Sequence, residues 1–222
     1  MCPVRPRRKP AGCLSILPLL CLGLSFLPVT VGFDSAFATT PFVSDSASSL
    51  EFSARLTWRV GKHSSKAQLF VKGDRYRIEH LGGVKTDLGY ASVTIVRLDK
   101  QKVWYVLSQR RLVVAVPLTT DYVLPLSVRL EGEVSRSLIG DAVVGENTAT
   151  LYDVEVNRNG HQERYYEWVD EPRQLLLKLV SQDRNWSVEY ERVILSTQPE
   201  YFFETPLGYR TIEASEIQAE KG

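Results

Sequence analysis

The residues best suited to metal binding or acid–base chemistry are three histidines, and their spacing favours neither. His63, His80 and His161 lie far apart along the chain, and no two have the separation found in metal-ligand motifs. His161 follows the turn-forming pair Asn159-Gly160, where a solvated histidine is the ordinary expectation. His80 stands at the end of an alternating stretch, on its apolar side. We therefore expect no metal centre and no catalysis by histidine.

Carboxylates are abundant but do not form a pair suited to hydrolysis. Asp170 and Glu171 are adjacent, so in a strand they point to opposite faces of the sheet. Glu189 and Glu191 share a face, but they alternate with other residues in the manner of a solvated strand. The chain contains no G-x-S-x-G, no H-E-x-x-H and no phosphate-binding loop. We expect a protein that is not an enzyme and has no cofactor and no bound metal.

The first 38 residues have the features of an export signal. A basic stretch precedes Leu14–Phe33, which is almost entirely apolar, and the small residues Ala36 and Ala38 match the pattern that signal peptidase accepts. We expect cleavage after Ala38, periplasmic localisation and no transmembrane segment in the mature chain. The alternative is an uncleaved inner-membrane anchor, because the apolar stretch is about long enough to span a bilayer. Pro18 and Pro28 argue against that anchor.

The cysteines and the charge balance narrow the function further. All three cysteines, Cys2, Cys13 and Cys21, fall within the segment to be removed. The mature chain is therefore expected to lack disulfides, thiolate metal sites and a cysteine nucleophile. The full chain has 27 basic and 26 acidic residues, so nothing in its charge indicates a nucleic-acid partner.

Beyond the signal, the chain alternates between apolar and polar residues. In Glu51–Val60 the apolar set is Phe52, Ala54, Leu56, Trp58 and Val60. This pattern recurs along the chain and predicts about ten or eleven short strands joined by tight turns, an antiparallel meander. We assign residues 39–49 to a linker and residues 50–222 to a single β domain. So broad a sheet must coil into a barrel, a half-barrel or a folded sandwich.

Two segments and two arginines depart from the alternation. Leu118–Gly140, interrupted by Pro125 and Gly132, is predicted to hold a short helix or a lid-like loop. Leu81–Asp87 is predicted to be a turn with a short continuation. Arg97 and Arg164 interrupt or flank apolar faces. An enzyme would need ionisable groups inside the hollow, and these two arginines are the candidates for such a position.

The order of several short motifs resembles a known family. The motifs are Phe52–Leu56, Gly73–Glu79, Ile95–Asp99, Val103–Leu107, Leu138–Gly145, Tyr152–Val154, Tyr166–Val169 and Phe203–Tyr209. Together they cover nearly all of the mature chain and resemble the LolA-like superfamily of bacterial envelope proteins. The resemblance implies a mainly β fold, in which a strongly curved antiparallel sheet forms a half-barrel around an apolar hollow with short helices as a lid. Members of that superfamily carry lipoprotein acyl chains, bind lipids or sense misplaced lipoproteins.

These observations lead to two hypotheses. The first is a non-enzymatic periplasmic protein that binds acyl chains, as a carrier or chaperone for lipoproteins or lipids. The second is an envelope sensor or adaptor that binds another protein through the same scaffold. The residues predicted to line the apolar hollow are Phe52, Leu56, Trp58, Leu69, Tyr76, Ile78, Tyr105, Tyr152, Val154 and Trp168. For each of them the competing interpretation is ordinary packed core.

Overall fold

The computed structural model of the chain describes residues 50–158 and 160–214. The predicted signal peptide, its cleavage site at Ala36 and Ala38, and the predicted linker lie outside the described residues. Twelve strands form one sheet. They are β1 Glu51–Val60, β2 His63–Lys72, β3 Arg75–Thr86, β4 Gly89–Arg97, β5 Lys102–Leu107, β6 Leu112–Pro117, β7 Glu133–Val144, β8 Asn147–Arg158, β9 His161–Asp170, β10 Leu175–Ser181, β11 Trp186–Leu195 and β12 Arg210–Glu213.

The sheet is curved and does not close. Its strand order is β12-β6-β5-β4-β3-β2-β1-β11-β10-β9-β8-β7, so β12 and β7 are its two edges. All neighbours pair antiparallel except β12 and β6, which run parallel. The helical residues in the described ranges lie mainly in three 3₁₀ turns of three or four residues, Ser108–Arg110, Thr120–Tyr122 and Glu200–Phe203. The predicted fold class, a strongly curved antiparallel sheet with few short helices, is confirmed.

Alternation in the sequence produces alternation in burial. Phe52, Ala54 and Leu56 of β1 are buried, whereas the residues between them are half-buried. Leu56 stands opposite Ala67 on β2 and Tyr190 on β11, so its side chain is enclosed from both sides. Each fully buried Leu or Phe contributes about 1.5–3 kcal/mol on removal from water. We call the face that carries this main apolar cluster the inner face, and the opposite side of the sheet the outer face.

The predicted turn at Leu81–Asp87 is wrong in most of its length. Strand β3 continues to Thr86, and a bulge between Glu79 and Val84 absorbs the irregularity. Gly82 and Gly83 have φ of +103° and +75°, values that residues other than glycine rarely adopt. The two glycines therefore bend a continuing strand instead of ending it.

In the described part of the chain, no helix is both long and apolar enough to cross a membrane.

Candidate binding site

The structure brings nine of the ten predicted lining residues to the inner face. Six of the nine are buried in the main apolar cluster and three pack against it half-buried. Trp168 lies on the other side of β9, where it packs with the cluster of Val144, Ala149, Leu175 and Leu177. The cross-strand register explains this, because Trp168 pairs with Leu151 and Lys178, whereas Glu167 pairs with Tyr152 and Leu179 of the inner face. Contact of these residues with an acyl chain stays a prediction.

The inner face is covered by residues 118–132, which we call the plug segment. It connects β6 to β7 and is a loop with one short 3₁₀ turn, Thr120–Tyr122. The predicted range Leu118–Gly140 is too long, because its residues from Glu133 onward belong to β7. The hydroxyl of Tyr76 donates to the carbonyl of Tyr122 and accepts the N–H of Leu124 at 3.1 Å. The hydroxyl of Tyr190 donates to the carbonyl of Pro125 at 2.8 Å. The plug segment packs its apolar side chains on the sheet through Leu118, Tyr122, Leu124, Leu126 and Leu130.

Both anchoring tyrosines are fully buried, and this fixes their protonation. Burial disfavours the charged phenolate and raises the pKa of Tyr76 and of Tyr190 above the ordinary value. Each hydroxyl therefore keeps its proton as a hydrogen-bond donor. The plug segment is thus held by hydrogen bonds of two neutral, buried tyrosines.

Removing one anchor tests how firmly the plug segment is held. We expect Tyr190→Phe to lower the free energy of unfolding by about 1–3 kcal/mol, because the buried carbonyl of Pro125 loses its donor. Amide hydrogen exchange in residues 118–132 should accelerate more than exchange in β1. Tyr165→Phe is the control, because its hydroxyl bonds the partly exposed carboxylate of Glu163. Equal effects of the two substitutions would contradict an anchoring role.

A polar network interrupts the inner face beside the plug segment. The Arg136 guanidinium donates to Glu133, with Nε at 2.9 Å from Oε1 and Nη2 at 2.9 Å from Oε2, and it also donates to the carbonyl of Val128 in the plug segment. Its Nη1 lies 2.6 Å from Oε2 of Glu167. The guanidinium carbon stands 4.9 Å from the ring centre of Tyr152. This network joins β7, β8 and β9 to the plug segment.

Glu167 is the residue that sequence reasoning missed. It has no exposed surface, and among the described residues neither of its oxygens receives a hydrogen bond of good geometry, although Arg136 is close. Burial raises the pKa of Glu167 to about 7, and Arg136 offsets only part of that effect. The signal was present in the sequence, because Glu167 shares a strand face with Tyr165 and Val169.

The other ionisable residues noted from the sequence make contacts within the fold. His80 Nε2 lies 2.8 Å from Oγ1 of Thr94, and burial lowers the pKa of this histidine to about 4. Arg164 is half-exposed and pairs with Asp153 at 2.7 Å. Within residues 50–158 and 160–214, no group of three or more His, Cys, Asp or Glu side chains is arranged to hold a metal ion.

The outer face of β2 to β6 is covered by residues 196–209, which we call the C-terminal segment. The ring of Phe202 packs edge-on against Phe70 of β2 with centroids 5.0 Å apart. Tyr209 packs on the outer cluster of β4, β5 and β6. Arg97, at only 4% exposure, donates to the carbonyl of Phe203 at 3.0 Å. These contacts anchor the C-terminal segment to the outer face.

Among the described strands, edge strand β7 has a partner on one side only, and it carries exposed apolar side chains. Val134, Leu138, Ile139 and Val143 are between 53% and 68% exposed. The strand is twelve residues long, and bulges at its pairing with β8 fall between Glu133 and Ser135 and between Leu138 and Gly140. A long edge with unpaired backbone groups is a template for another strand. Exposed apolar residues along such an edge mark an interaction surface.

A pocket of about 420 Å³ opens beside this edge. Asp141 pairs across the sheet with Thr150, which in turn pairs with Val169, so the three side chains share the inner face. None of the ten predicted lining residues borders this pocket. Its walls are Asp141, Ala142, Val143, Thr148, Ala149, Thr150, Val169, Glu171 and Pro172. We call β7 together with this pocket the edge site.

Comparisons with known proteins agree with the fold and go no further. No protein-family model matches the chain, and no curated protein matches it. A structure of MucB matches with a TM-score of 0.51 and 16% identity, covering 75% of this chain and 61% of that chain. MucB in complex with MucA(peri) matches at 0.48 and 13%, covering 76% and 58%, and the Pseudomonas aeruginosa MucA/MucB complex matches at 0.47 and 14%, covering 76% and 60%.

The chain therefore spans about three fifths of the length of the MucB chains that it matches. At these identities the likeness concerns the fold alone. It agrees with the curved half-barrel that the LolA-like resemblance implied.

Proposed function

We propose that this protein is a non-enzymatic periplasmic binding module that docks an extended segment of another envelope protein on the edge site. The observation that carries the proposal is strand β7, a twelve-residue sheet edge with four exposed apolar side chains. An extended segment added to such an edge gains backbone hydrogen bonds, while alternate side chains supply specificity. The periplasmic placement rests on the predicted export signal.

The bulges in β7 favour a foreign segment over a second copy of this chain. A second copy paired antiparallel about the middle of β7 would place the bulges near Leu138 and Ile139 of both chains opposite each other. Bulges disturb the hydrogen-bond ladder and guard edges against indiscriminate pairing. A partner segment with its own sequence can follow the bulged edge, whereas an identical strand doubles the mismatch.

The docking proposal is tested by capture from envelope extract with matched variants. Leu138→Ser combined with Ile139→Ser removes two exposed apolar side chains of β7, so we expect it to weaken partner capture by about tenfold or more. Ile194→Ser combined with Leu195→Ser removes a similarly exposed pair from β11 and should leave capture unchanged. The captured protein should remain after lipid stripping. Undiminished capture by the β7 variant would count against the proposal.

Acyl-chain binding is a second candidate, favoured by the nature of the plug segment. Residues 118–132 form no strand and no helix longer than one 3₁₀ turn, so displacing them would expose an apolar inner face. Burying an acyl chain there would contribute about 0.8 kcal/mol per methylene group. Uptake of a fluorescent fatty acid by the wild-type protein, increased in Tyr190→Phe, would support this role. No uptake by either protein would count against acyl-chain binding and leave docking as the single proposed function.

A further inference from the structure

The pocket beside β7 has charged side chains of one sign in its walls. Asp141 and Glu171 both face it, and no basic residue of the described ranges lines it. Within the described residues, the carboxylate of Asp141 has no hydrogen-bond or ion-pair partner. Glu171 accepts hydrogen bonds from Tyr152 at 2.6 Å and from Gln174 at 3.0 Å, both neutral donors. The pocket thus presents two carboxylates without a cation.

The neighbouring basic residues are engaged elsewhere. Arg173 follows the pocket residue Pro172, but its guanidinium lies 3.6 Å from Asp170, whose side chain lies on the opposite side of β9 from that of the pocket residue Val169. Arg136, on the same strand as Asp141, is held by Glu133 and Glu167. The negative charge of the pocket is therefore left for a ligand.

The remaining walls suit the stem of a long cationic side chain. Val143, Val169 and Pro172 provide apolar surface, and Thr148 and Thr150 add hydroxyl groups. Lysine and arginine bury their methylene stems along apolar walls while the charged end meets an acceptor. The volume of about 420 Å³ falls in the range of ligand pockets, about 300–1,000 Å³.

We infer that this pocket receives a lysine or arginine side chain of the extended partner segment docked on β7, an inference that rests on the proposed docking function. The partner segment is then one that combines a basic residue with apolar residues at alternate positions. Its apolar residues lie against Leu138 and Val143, and its cation meets Asp141 and Glu171. Complementary charge fixes the register of the segment along the edge, which the bulged backbone ladder alone would leave loose.

The test uses a displayed library of random twelve-residue peptides selected on the wild-type protein. We expect the selected peptides to carry a Lys or Arg flanked by alternating apolar residues. Replacing that basic residue by Met should weaken peptide binding by about tenfold, and so should Asp141→Asn. The two changes made together should weaken binding little more than either change alone, because both remove the same contact. Glu155→Gln is the control, because it removes the same charge from the outer face of β8, where Glu155 pairs with Ser135.

The outcomes separate the pocket from the docking edge. Peptides that lose binding with Leu138→Ser and Ile139→Ser, yet tolerate Asp141→Asn and the Met replacement, would overturn the cationic pocket and keep the docking role. Peptides indifferent to the β7 variant would overturn both. Self-association of the wild-type protein in sedimentation, abolished by the same β7 variant, would show that a second copy occupies the edge and would also overturn the inference.

Discussion

Arg97→Ala is expected to lower the free energy of unfolding by about 1.5–3 kcal/mol, the range for hydrogen bonds to a charged group, because the carboxylates that it leaves behind are partly exposed. The guanidinium forms a fork with Asp99, with Nε and Nη2 at 2.8 and 2.5 Å from the two carboxylate oxygens. Its Nη1 reaches Oε1 of Glu204 at 2.5 Å and the carbonyl of Phe203 at 3.0 Å. Alanine would leave two carboxylates and one buried carbonyl without their shared donor.

The same contacts attach the C-terminal segment to Arg97 of strand β4. The hydrogen-bonded carboxylates of Asp99 and Glu204 raise the pKa of Arg97 despite its burial, and the guanidinium holds the pKa of Asp99 below its usual range. Without it, the segment that covers the outer face of β2 to β6 should detach. We therefore expect protease cleavage near Phe202 in Arg97→Ala, under conditions that leave the wild-type protein intact.

Urea unfolding and limited proteolysis measure the two effects, with Lys100→Ala as the matched control. Lys100 also approaches Glu204, at 3.5 Å, but it is half-exposed, and such pairs contribute about 0–1 kcal/mol. Destabilisation of Arg97→Ala no larger than that of Lys100→Ala would show that the other contacts hold the C-terminal segment without Arg97, namely the aromatic packing and the ion pairs of Glu200 with Lys72 and Arg75.

The inner surface of the sheet was predictable because alternation is a local property. Phe52, Leu56, Leu69 and Ile78 lie inside because every second residue of an antiparallel strand faces the same way. Trp168 lies on the outer face because Tyr165, Glu167 and Val169 occupy the inner face of β9.

Contacts between distant segments were not predictable from the sequence. The bond from Tyr190 to the carbonyl of Pro125 joins β11 to a loop that precedes it by 65 residues. The parallel pairing of Arg210–Glu213 with β6 likewise depends on where the C-terminal segment crosses the sheet. No periodicity encodes such contacts. The pocket at Asp141 is also non-local, because it needs the registers of β7, β8 and β9 together.

The polar network of the inner face should make the free energy of unfolding depend on pH. Glu167 has a folded pKa of about 7, above the ordinary value of 4.5, so between these values the folded state binds more protons than the unfolded state. The free energy of unfolding should therefore fall as pH rises from about 4.5 to about 7, by up to about 1.4 kcal/mol per pH unit. Glu167→Gln should remove this part of the slope and raise stability at pH 8.

Arg136→Ala should act in the opposite direction and most strongly at high pH. At both pH values the change removes the contacts of Arg136 with Glu133, the Val128 carbonyl and the Tyr152 ring. At pH 8 the buried Glu167 also loses its counter-ion and takes up a proton, which adds about 1.4 kcal/mol to the loss, whereas at pH 5 it is already protonated. In the Glu167→Gln background the pH dependence of the Arg136→Ala effect should disappear.

Arg164→Ala, which breaks the exposed pair with Asp153, is the control and should cost about 0–1 kcal/mol at both pH values. Urea titrations at pH 5 and pH 8 measure all four variants, and an equal loss for Arg136→Ala at both pH values would show that Glu167 does not titrate in this range.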